Sequence, residues 1–367
     1  MEGFGWFTFE TVKRIVQAHP EHQFIFFFDR AFDQKFIFAD NVQGVVLNPP
    51  ARHPILFKIW FNFSVTRALK KYKIDLFFSP DGYLSLKTTV PQINVIHDLN
   101  FEHYPQDLPS GARKYLQKYF PKFAKKAAHI ITVSDFSKQD IVKTYNIAAN
   151  KITVAHNGGS DVFKPISTVE KQIVRDQFTN GDEYFVFVGA LHPRKNVGRL
   201  LEAFDAFKKE TNSKLSSRTK GGTKLLIVGE DLWKSKKLKP IELQFKSDII
   251  FTGHQSIEVL SKIVASAKAM AVVSYFEGFG IPLVEAMKGD CPILSGNLTS
   301  LPEVAGDAAI YCDPFDVNSI KEGLKKLDND ENLRNSLIEK GREQAKKFSW
   351  DFTAEKIWTV LENQLKK

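Results

Sequence analysis

An α/β chain made of two doubly wound parallel-sheet domains is the fold class this sequence predicts, and three observations carry it. Short apolar runs alternate with amphipathic segments along the whole chain, the pattern of parallel sheets covered by helices. Its 367 residues exceed the size at which one hydrophobic core stops growing. The alternation pauses at the polar stretch Ser160 to Asp182, which contains Lys164-Pro165 and reads as a linker, and then restarts.

Each element follows from its own pattern. In the first half, apolar runs too short for buried helices predict strands at Phe24 to Phe28, Val42 to Leu47, Leu76 to Phe78, Asn94 to Ile96, Ile130 to Val133 and Ile152 to Val154. The second half supplies Tyr184 to Val188, Leu225 to Val228, Ile249 to Phe251, Met270 to Val273 and Ile293 to Leu294. Lys208 to Lys224, rich in Gly, Ser and Lys, reads as a surface loop. A last helix over Trp350 to Leu365 carries Phe352, Ile357, Val360, Leu361 and Leu365 at helical spacing. The domains predicted are residues 1–165, 166–347 and a closing helix over 348–367.

Composition narrows the function classes. No apolar stretch is long enough to span a bilayer, and the N-terminus lacks the pattern of a secretory signal, so a cytoplasmic location is expected. Cys291 and Cys312 are flanked by apolar residues and read as reduced core positions; no Cys/His cluster has zinc spacing. Positive charge is concentrated in residues 1–165, where 21 Lys+Arg against 14 Asp+Glu give a net +7, leaving 30 against 28, or +2, for the rest. Within that half, Arg113, Lys114, Lys118, Lys122, Lys125 and Lys126 occur with no acid among them, interleaved with Tyr115, Tyr119, Phe120 and Phe123. Two readings fit: an amphipathic helix lying on an anionic membrane surface, or a core helix with a solvated basic side, kinked at Pro121. No nucleic-acid-binding module appears, so nucleic acid is not an expected partner.

Chemistry concentrates in two segments. Tyr275-Phe276-Glu277-Gly278-Phe279-Gly280-Ile281-Pro282-Leu283-Val284-Glu285 leaves a buried strand and enters a helix with proline in its first turn. Gly278 and Gly280 permit close backbone approach, and the amides at the helix start carry the partial positive charge that suits a diphosphate. A phosphate repels carboxylates, so Glu277 and Glu285 are assigned to hydroxyl groups, one on a sugar and one on a ribose. In the second segment, Phe187 to Val197, the strand end at Gly189 leads to the adjacent cations Arg194 and Lys195, which can neutralise a leaving diphosphate. His97 follows a predicted strand and precedes Asp98, at the sheet edge where ligand clefts form.

These segments together resemble the retaining glycosyltransferases of the GT-B fold, the family numbered four, also called group 1 glycosyltransferases. The Glu-x7-Glu signature from Glu277 to Glu285, the Gly189…Arg194-Lys195-Asn196 segment and His97-Asp98 carry the resemblance. Further matches lie at Val133 to Ser137, Asn157-Gly158, Phe251-Thr252-Gly253 and Leu301 to Asp307, so nearly the whole chain is covered. The resemblance implies two Rossmann-like domains facing a cleft, with the C-terminal helix crossing back to the first. It implies transfer of a sugar from a UDP-, GDP- or ADP-sugar, with retention of configuration, to a glycan or lipid-linked acceptor in cell-envelope polysaccharide synthesis. Arg194 and Lys195 would hold the donor phosphates, Glu285 the ribose, Glu277 the sugar hydroxyls, and His97 the sugar or acceptor side. Gly3, Gly5, Gly189, Gly253, Gly278, Phe279, Gly280, Ile281 and Leu283 would line the donor site. A mannose donor is suggested by the His97-Asp98 neighbourhood. No metal or other cofactor is expected. The chain departs from the family in one place: Glu2-Gly3-Phe4-Gly5 reads as the family's Gly-rich loop with no strand before it, so the first sheet is expected to lack a central element. A GT-B sugar-nucleotide epimerase and a non-catalytic nucleotide-sugar-binding protein are the alternatives.

Overall fold

The computed structural model describes residues 3–212, 222–229 and 243–367. Two compact units are formed, one by Met1–Gly158 with Ser349–Lys367, the other by Gly159–Phe348.

The first unit contains the strands β1 (Phe24–Phe28), β2 (Val42–Val46), β3 (Phe77–Ser79), β4 (Gln92–Val95), β5 (His129–Thr132) and β6 (Ile152–Val154). Its helices are α1 (Gly3–Ala18), α2 (Pro54–Ile59), α3 (Thr66–Lys71), α4 (Asn100–His103), α5 (Ser110–Lys126) and α6 (Asp135–Tyr145), with the last helix of the chain, Trp350–Leu365, added to them. All the strand pairs are parallel, but they form two separate sheets, β1-β2 and β3-β4-β5-β6. Helices α2 and α3 are joined through a π-helical turn, Trp60–Val65.

The segment read as a Gly-rich loop is helical: Gly3 and Gly5 lie in the first turn of α1. Two glycines weaken that turn by roughly 1 kcal/mol each relative to alanine. Tertiary packing outweighs this, because Phe7, Thr11, Ile15 and Val16 are buried on one side of the helix. The closing helix packs on α1, with Trp358 stacked on His19 at 3.7 Å and Arg14 Nε 2.6 Å from Asp351. Its Ile357, Val360 and Leu361 are buried, whereas Phe352 points outward. Helix α5 is continuous through Pro121 and buries Tyr115, Phe120, Phe123 and Ala124.

The second unit contains β7 (Tyr184–Val188), β8 (Lys224–Val228), β9 (Ile249–Gly253), β10 (Ala269–Val272), β11 (Ile293–Gly296) and β12 (Ala309–Cys312), the last not predicted from the sequence. These alternate with α7 (Thr168–Thr179), α8 (Val197–Asn212), α9 (Ile257–Ser266), α10 (Ile281–Lys288), α11 (Leu301–Ala305), α12 (Val317–Asn329) and α13 (Glu331–Ala345); the closing helix of the first unit is α14 (Trp350–Leu365). The sheet is wholly parallel in the order β12-β11-β10-β7-β8-β9. Strand order therefore reverses between β7 and β10, so the loops leaving these two neighbours depart to opposite faces and open a crevice at their C-terminal ends.

Two predicted loops are corrected. The polar stretch 160–182 contains α7, started by a capping box in which the Ser167 hydroxyl accepts from the Glu170 amide. Its beginning is tied into the second unit by Lys288, whose Nζ lies 2.5 Å from Asp161 and donates to the Gly159 carbonyl at 3.0 Å. Of the stretch 208–224, Lys208 to Asn212 belongs to α8, and Lys208 is buried and paired with Asp248 at 2.8 Å. Residues 213–221 lie outside the described residues.

Candidate functional site

The crevice between β7 and β10 brings together Arg194, Lys195 and Glu277. Strand β7 is followed by Gly189, whose φ of +147° favours glycine, and the chain continues to a short 3-10 turn, Pro193–Lys195. His192 starts that turn by accepting the Arg194 amide on Nδ1 at 3.3 Å. Asn196 ends it in the left-handed region, with its buried amide donating to the Val273 carbonyl at 3.0 Å and the Pro314 carbonyl at 2.6 Å. The two crevice loops are thus stitched together, and the Tyr275 amide adds a bond to the Arg194 carbonyl at 3.0 Å.

Glu277 sits at the centre of this stitching. Its side chain is only 6% exposed and is paired with both cations, Arg194 Nη1 on one carboxylate oxygen and Lys195 Nζ 2.6 Å from the other. Arg194 also donates to the Phe276 carbonyl at 3.1 Å. Burial by itself would raise the carboxyl's pKa, but the adjacent Arg194 and Lys195 reverse that and hold it at about 2. The three groups carry a net charge of +1 in a water-poor setting, an arrangement that can accept an anion. In the sequence the two cations and the acid stand about eighty residues apart; the fold puts them in direct contact.

The loop from Glu277 onward is fixed by residues the sequence reading passed over. Thr299 accepts the Glu277 amide at 3.1 Å, and the buried Ser300 hydroxyl donates to the carbonyls of Glu277 at 2.9 Å and Phe279 at 3.1 Å. Their signal was present, since Thr299-Ser300 directly precede the recognised Leu301 helix start. Gly229 was also missed: a Cβ there would lie 2.0 Å from the Gly189 carbonyl oxygen, so only glycine lets the ends of β8 and β7 approach. It occupies the same strand-end position as Gly189, which the Val228-Gly229 pair could have indicated.

The remaining residues predicted for the site in this unit have these positions. Gly280 has φ +101° and begins α10 without a side-chain cap, with Pro282 in the first turn. Phe279 is buried edge-on to Phe348 at 5.5 Å. Leu283 is a core residue, its amide bonded to the Gly280 carbonyl at 2.9 Å. Ile281 is half-buried in the first turn of α10. Gly278 lies in the loop between Glu277 and Gly280. Gly253 ends β9 with φ +68° and open space beside its Cα. Glu285 lies in α10, where burial, partly opposed by Lys288, raises its carboxyl pKa to about 7.

His97 belongs to the first unit and follows β4. Its Nε2 hydrogen donates to the Pro80 carbonyl at 2.9 Å, which fixes the tautomer, and Phe4 and Phe7 of α1 stand edge-on to the ring at 4.6 and 4.8 Å. Burial lowers its pKa, so the ring is neutral near pH 7. The Asp98 carboxylate accepts the Asn100 amide at 2.9 Å at the start of α4. Cys291 and Cys312 are free and buried, with both thiols pushed up to about 12 by burial. Among the described residues no helix is long and apolar enough to cross a membrane.

Comparison with known proteins agrees with this architecture. The model of the glycosyl transferases group 1 matches residues 169–344, and that of glycosyltransferase family 4 matches residues 2–159. The O-antigen chain mannosyltransferase B of Escherichia coli is 28% identical over 364 residues, covering 96% of this chain and 93% of that protein. Among solved structures, WaaG, a glycosyltransferase involved in lipopolysaccharide biosynthesis, superposes with a TM-score of 0.74 at 17% identity over 96% of this chain and 95% of that one. Anabaena HepE in complex with UDP-glucose does so with a TM-score of 0.74 at 15% identity over 99% and 96%. With two Rossmann-like domains and both halves matched by models of one enzyme group, the chain belongs to the group 1 glycosyltransferases of the GT-B fold, and within them it is mannosyltransferase-like.

Proposed function

We propose that this glycosyltransferase moves a hexose from a nucleoside-diphosphate sugar to a glycan or lipid-linked acceptor, with retention of anomeric configuration, in the synthesis of a cell-envelope polysaccharide. The observation that carries the proposal is the Arg194–Glu277–Lys195 cluster at the strand-order reversal, with surplus positive charge where a diphosphate would leave. The relatives favour the same reading, since one is an O-antigen mannosyltransferase and a neighbour of the same fold was solved with UDP-glucose.

In this reading the bond between the anomeric carbon and the phosphate oxygen breaks as the acceptor oxygen attacks from the same face, and the departing phosphate takes the acceptor's proton. Arg194 and Lys195 stabilise the charge that grows on the leaving group, so no metal is assigned. Glu277 keeps the two cations ordered before the donor arrives and accepts hydrogen bonds from the sugar hydroxyls. Glu285 holds the ribose, and the neutral His97 serves the sugar or acceptor side. The exposed lysines of α5 favour an anionic membrane surface as the place where a lipid-linked acceptor is met.

Calorimetric titration with UDP, GDP and ADP tests the donor half of the proposal. One nucleotide is expected to bind selectively, and the Arg194→Ala/Lys195→Ala double variant to lose at least about a hundredfold in affinity, at 1.5–3 kcal/mol for each charged contact. Equal binding by the variant would remove the phosphate assignment. With the donor known, the anomeric coupling of the product by NMR decides retention.

A further inference from the structure

Helix α8 breaks a local rule in its first turn. Val197, Gly198 and Arg199 open it, so a cation stands where the backbone amides already carry partial positive charge and an acid is the favoured residue. Where such a rule is broken, a tertiary gain has to offset it. Two groups engage the Arg199 guanidinium: Nη1 donates to Asn196 Oδ1 at 2.9 Å, and Cζ stands 5.3 Å from the centre of the Phe315 ring. Phe315 in turn stacks on Tyr275, with ring centres 5.5 Å apart and planes inclined by 23°.

These contacts close a circuit. The Asn196 amide gives its hydrogens to the Val273 and Pro314 carbonyls, and its oxygen takes the Arg199 hydrogen. The amide is thereby held in one orientation, since turned over it would set its oxygen against two carbonyls and its hydrogens against a cation. Pro314 immediately precedes Phe315, and the Tyr275 amide donates to the Arg194 carbonyl at 3.0 Å. The circuit thus runs from Arg194 through Tyr275, Phe315 and Arg199 to Asn196, which follows Lys195. It joins the loops leaving β7, β10 and β12, the last lying beyond β11 in the sheet. Each of Arg194, Lys195 and Glu277 belongs to this circuit or lies within two positions of a member. Packing alone does not account for Phe315: its ring is 45% exposed, and the cation it meets is one that α8 by itself disfavours.

We infer that Arg199 and Phe315 are positioning residues: through Asn196 and Tyr275 they brace the two loops that carry Arg194, Lys195 and Glu277, and so set the place of the two cations against a diphosphate. This rests on the proposed donor site and names residues beside it on which its geometry depends. Hydrogen exchange read by mass spectrometry on the full chain tests the brace without any ligand. In Phe315→Leu, which changes no charge, peptides covering 189–200 and 273–281 are expected to exchange at least about tenfold faster, with the strands of the sheet at parent rates. Phe315→Tyr, which keeps the ring, is expected to exchange like the parent. Adding Arg199→Met to Phe315→Leu is expected to change little, because both cut the same circuit. Titration with UDP, GDP and ADP, and with uridine, guanosine and adenosine, gives a second readout. Phe315→Leu is expected to weaken the diphosphate that the parent selects by about tenfold and to leave the matching nucleoside within about twofold.

Parent-like exchange in both loops of Phe315→Leu would overturn the brace, whether or not the parent binds a nucleotide. Faster exchange throughout the sheet, or an equal loss of diphosphate and nucleoside, would overturn it too, by making Phe315 a general stabiliser of the unit. Weaker diphosphate binding by Arg199→Met with parent-like exchange would make Arg199 a direct phosphate contact instead. Failure of the donor reading looks different: the loops loosen in Phe315→Leu while the Arg194→Ala/Lys195→Ala variant binds each nucleotide as the parent does.

Discussion

At the scale of single residues, the two carboxylates of the Glu-x7-Glu segment have opposite electrostatics although they are eight positions apart. Glu277 is ionised at any physiological pH because Arg194 and Lys195 touch it; Glu285, with burial as its main influence, titrates near 7. A raised carboxyl pKa means that the folded state keeps a proton which the unfolded chain releases. The stability this confers is full below the ordinary pKa of 4.5 and is lost as pH rises through about 7. Glu285→Gln should therefore melt higher than the parent at pH 8, by about 1–2 kcal/mol once solvent screening is allowed for, and the gap should close by about pH 4. Melting temperatures across that range check it, and parallel curves for the two proteins would place Glu285 in a more polar setting than its burial implies.

At the scale of elements, the site depends on how two loops leave the sheet. Gly280 ends the second loop in the left-handed region at φ +101°, and a Cβ there would come within 3.0 Å of Leu301 Cδ2 and 3.2 Å of Leu283 Cδ1. Leu301 is in turn preceded by Thr299 and Ser300, which hold the Glu277 backbone. Gly280→Ala is accordingly expected to cost about 1–3 kcal/mol of stability through backbone strain. It should also weaken nucleotide binding by shifting the start of α10. Denaturant melts together with the nucleotide titration read both, and a stable variant with parent affinity would show that this loop has slack.

For the whole molecule, the important fact is that each unit has its own core. Phe185, Phe204 and Leu225 anchor the second unit's core, while Phe123, Ile130 and Ile141 anchor a core of the first. The first unit is completed by α14, so residues from both ends of the chain must meet before it is stable. Calorimetry is expected to resolve two transitions. A saturating nucleotide should raise the one belonging to Gly159–Phe348 by several degrees, since ligand at about 100 times its Kd adds about 2.7 kcal/mol. A single transition that moves as one with nucleotide would mean that the units unfold cooperatively.

Much of this protein was legible in its sequence because strands buried on both faces are written as continuous apolar runs. Tyr184–Val188, buried from Tyr184 to Phe187, could be bounded from local pattern alone, and so could the half-buried apolar run Phe24–Phe28. The first turn of α1 was not legible, because two glycines signal a loop unless the packing of Phe7 and Ile15 is known. Helix α7 was hidden for a different reason: it buries Val174 and Thr179 while leaving the apolar Val169 and Ile173 exposed, so its capping box is the clearest local mark of it. In the candidate site, the residue types and the loop that holds them could be named in advance, since a strand end, glycines and a first-turn proline are local signals. That Glu277 would grip both cations, that Thr299 and Ser300 would support it, and that Gly229 must stay bare against Gly189 were decided only by tertiary structure. Those contacts join residues from neighbouring strands of one parallel sheet. Register and strand order, which no local stretch encodes, determine which loops become neighbours.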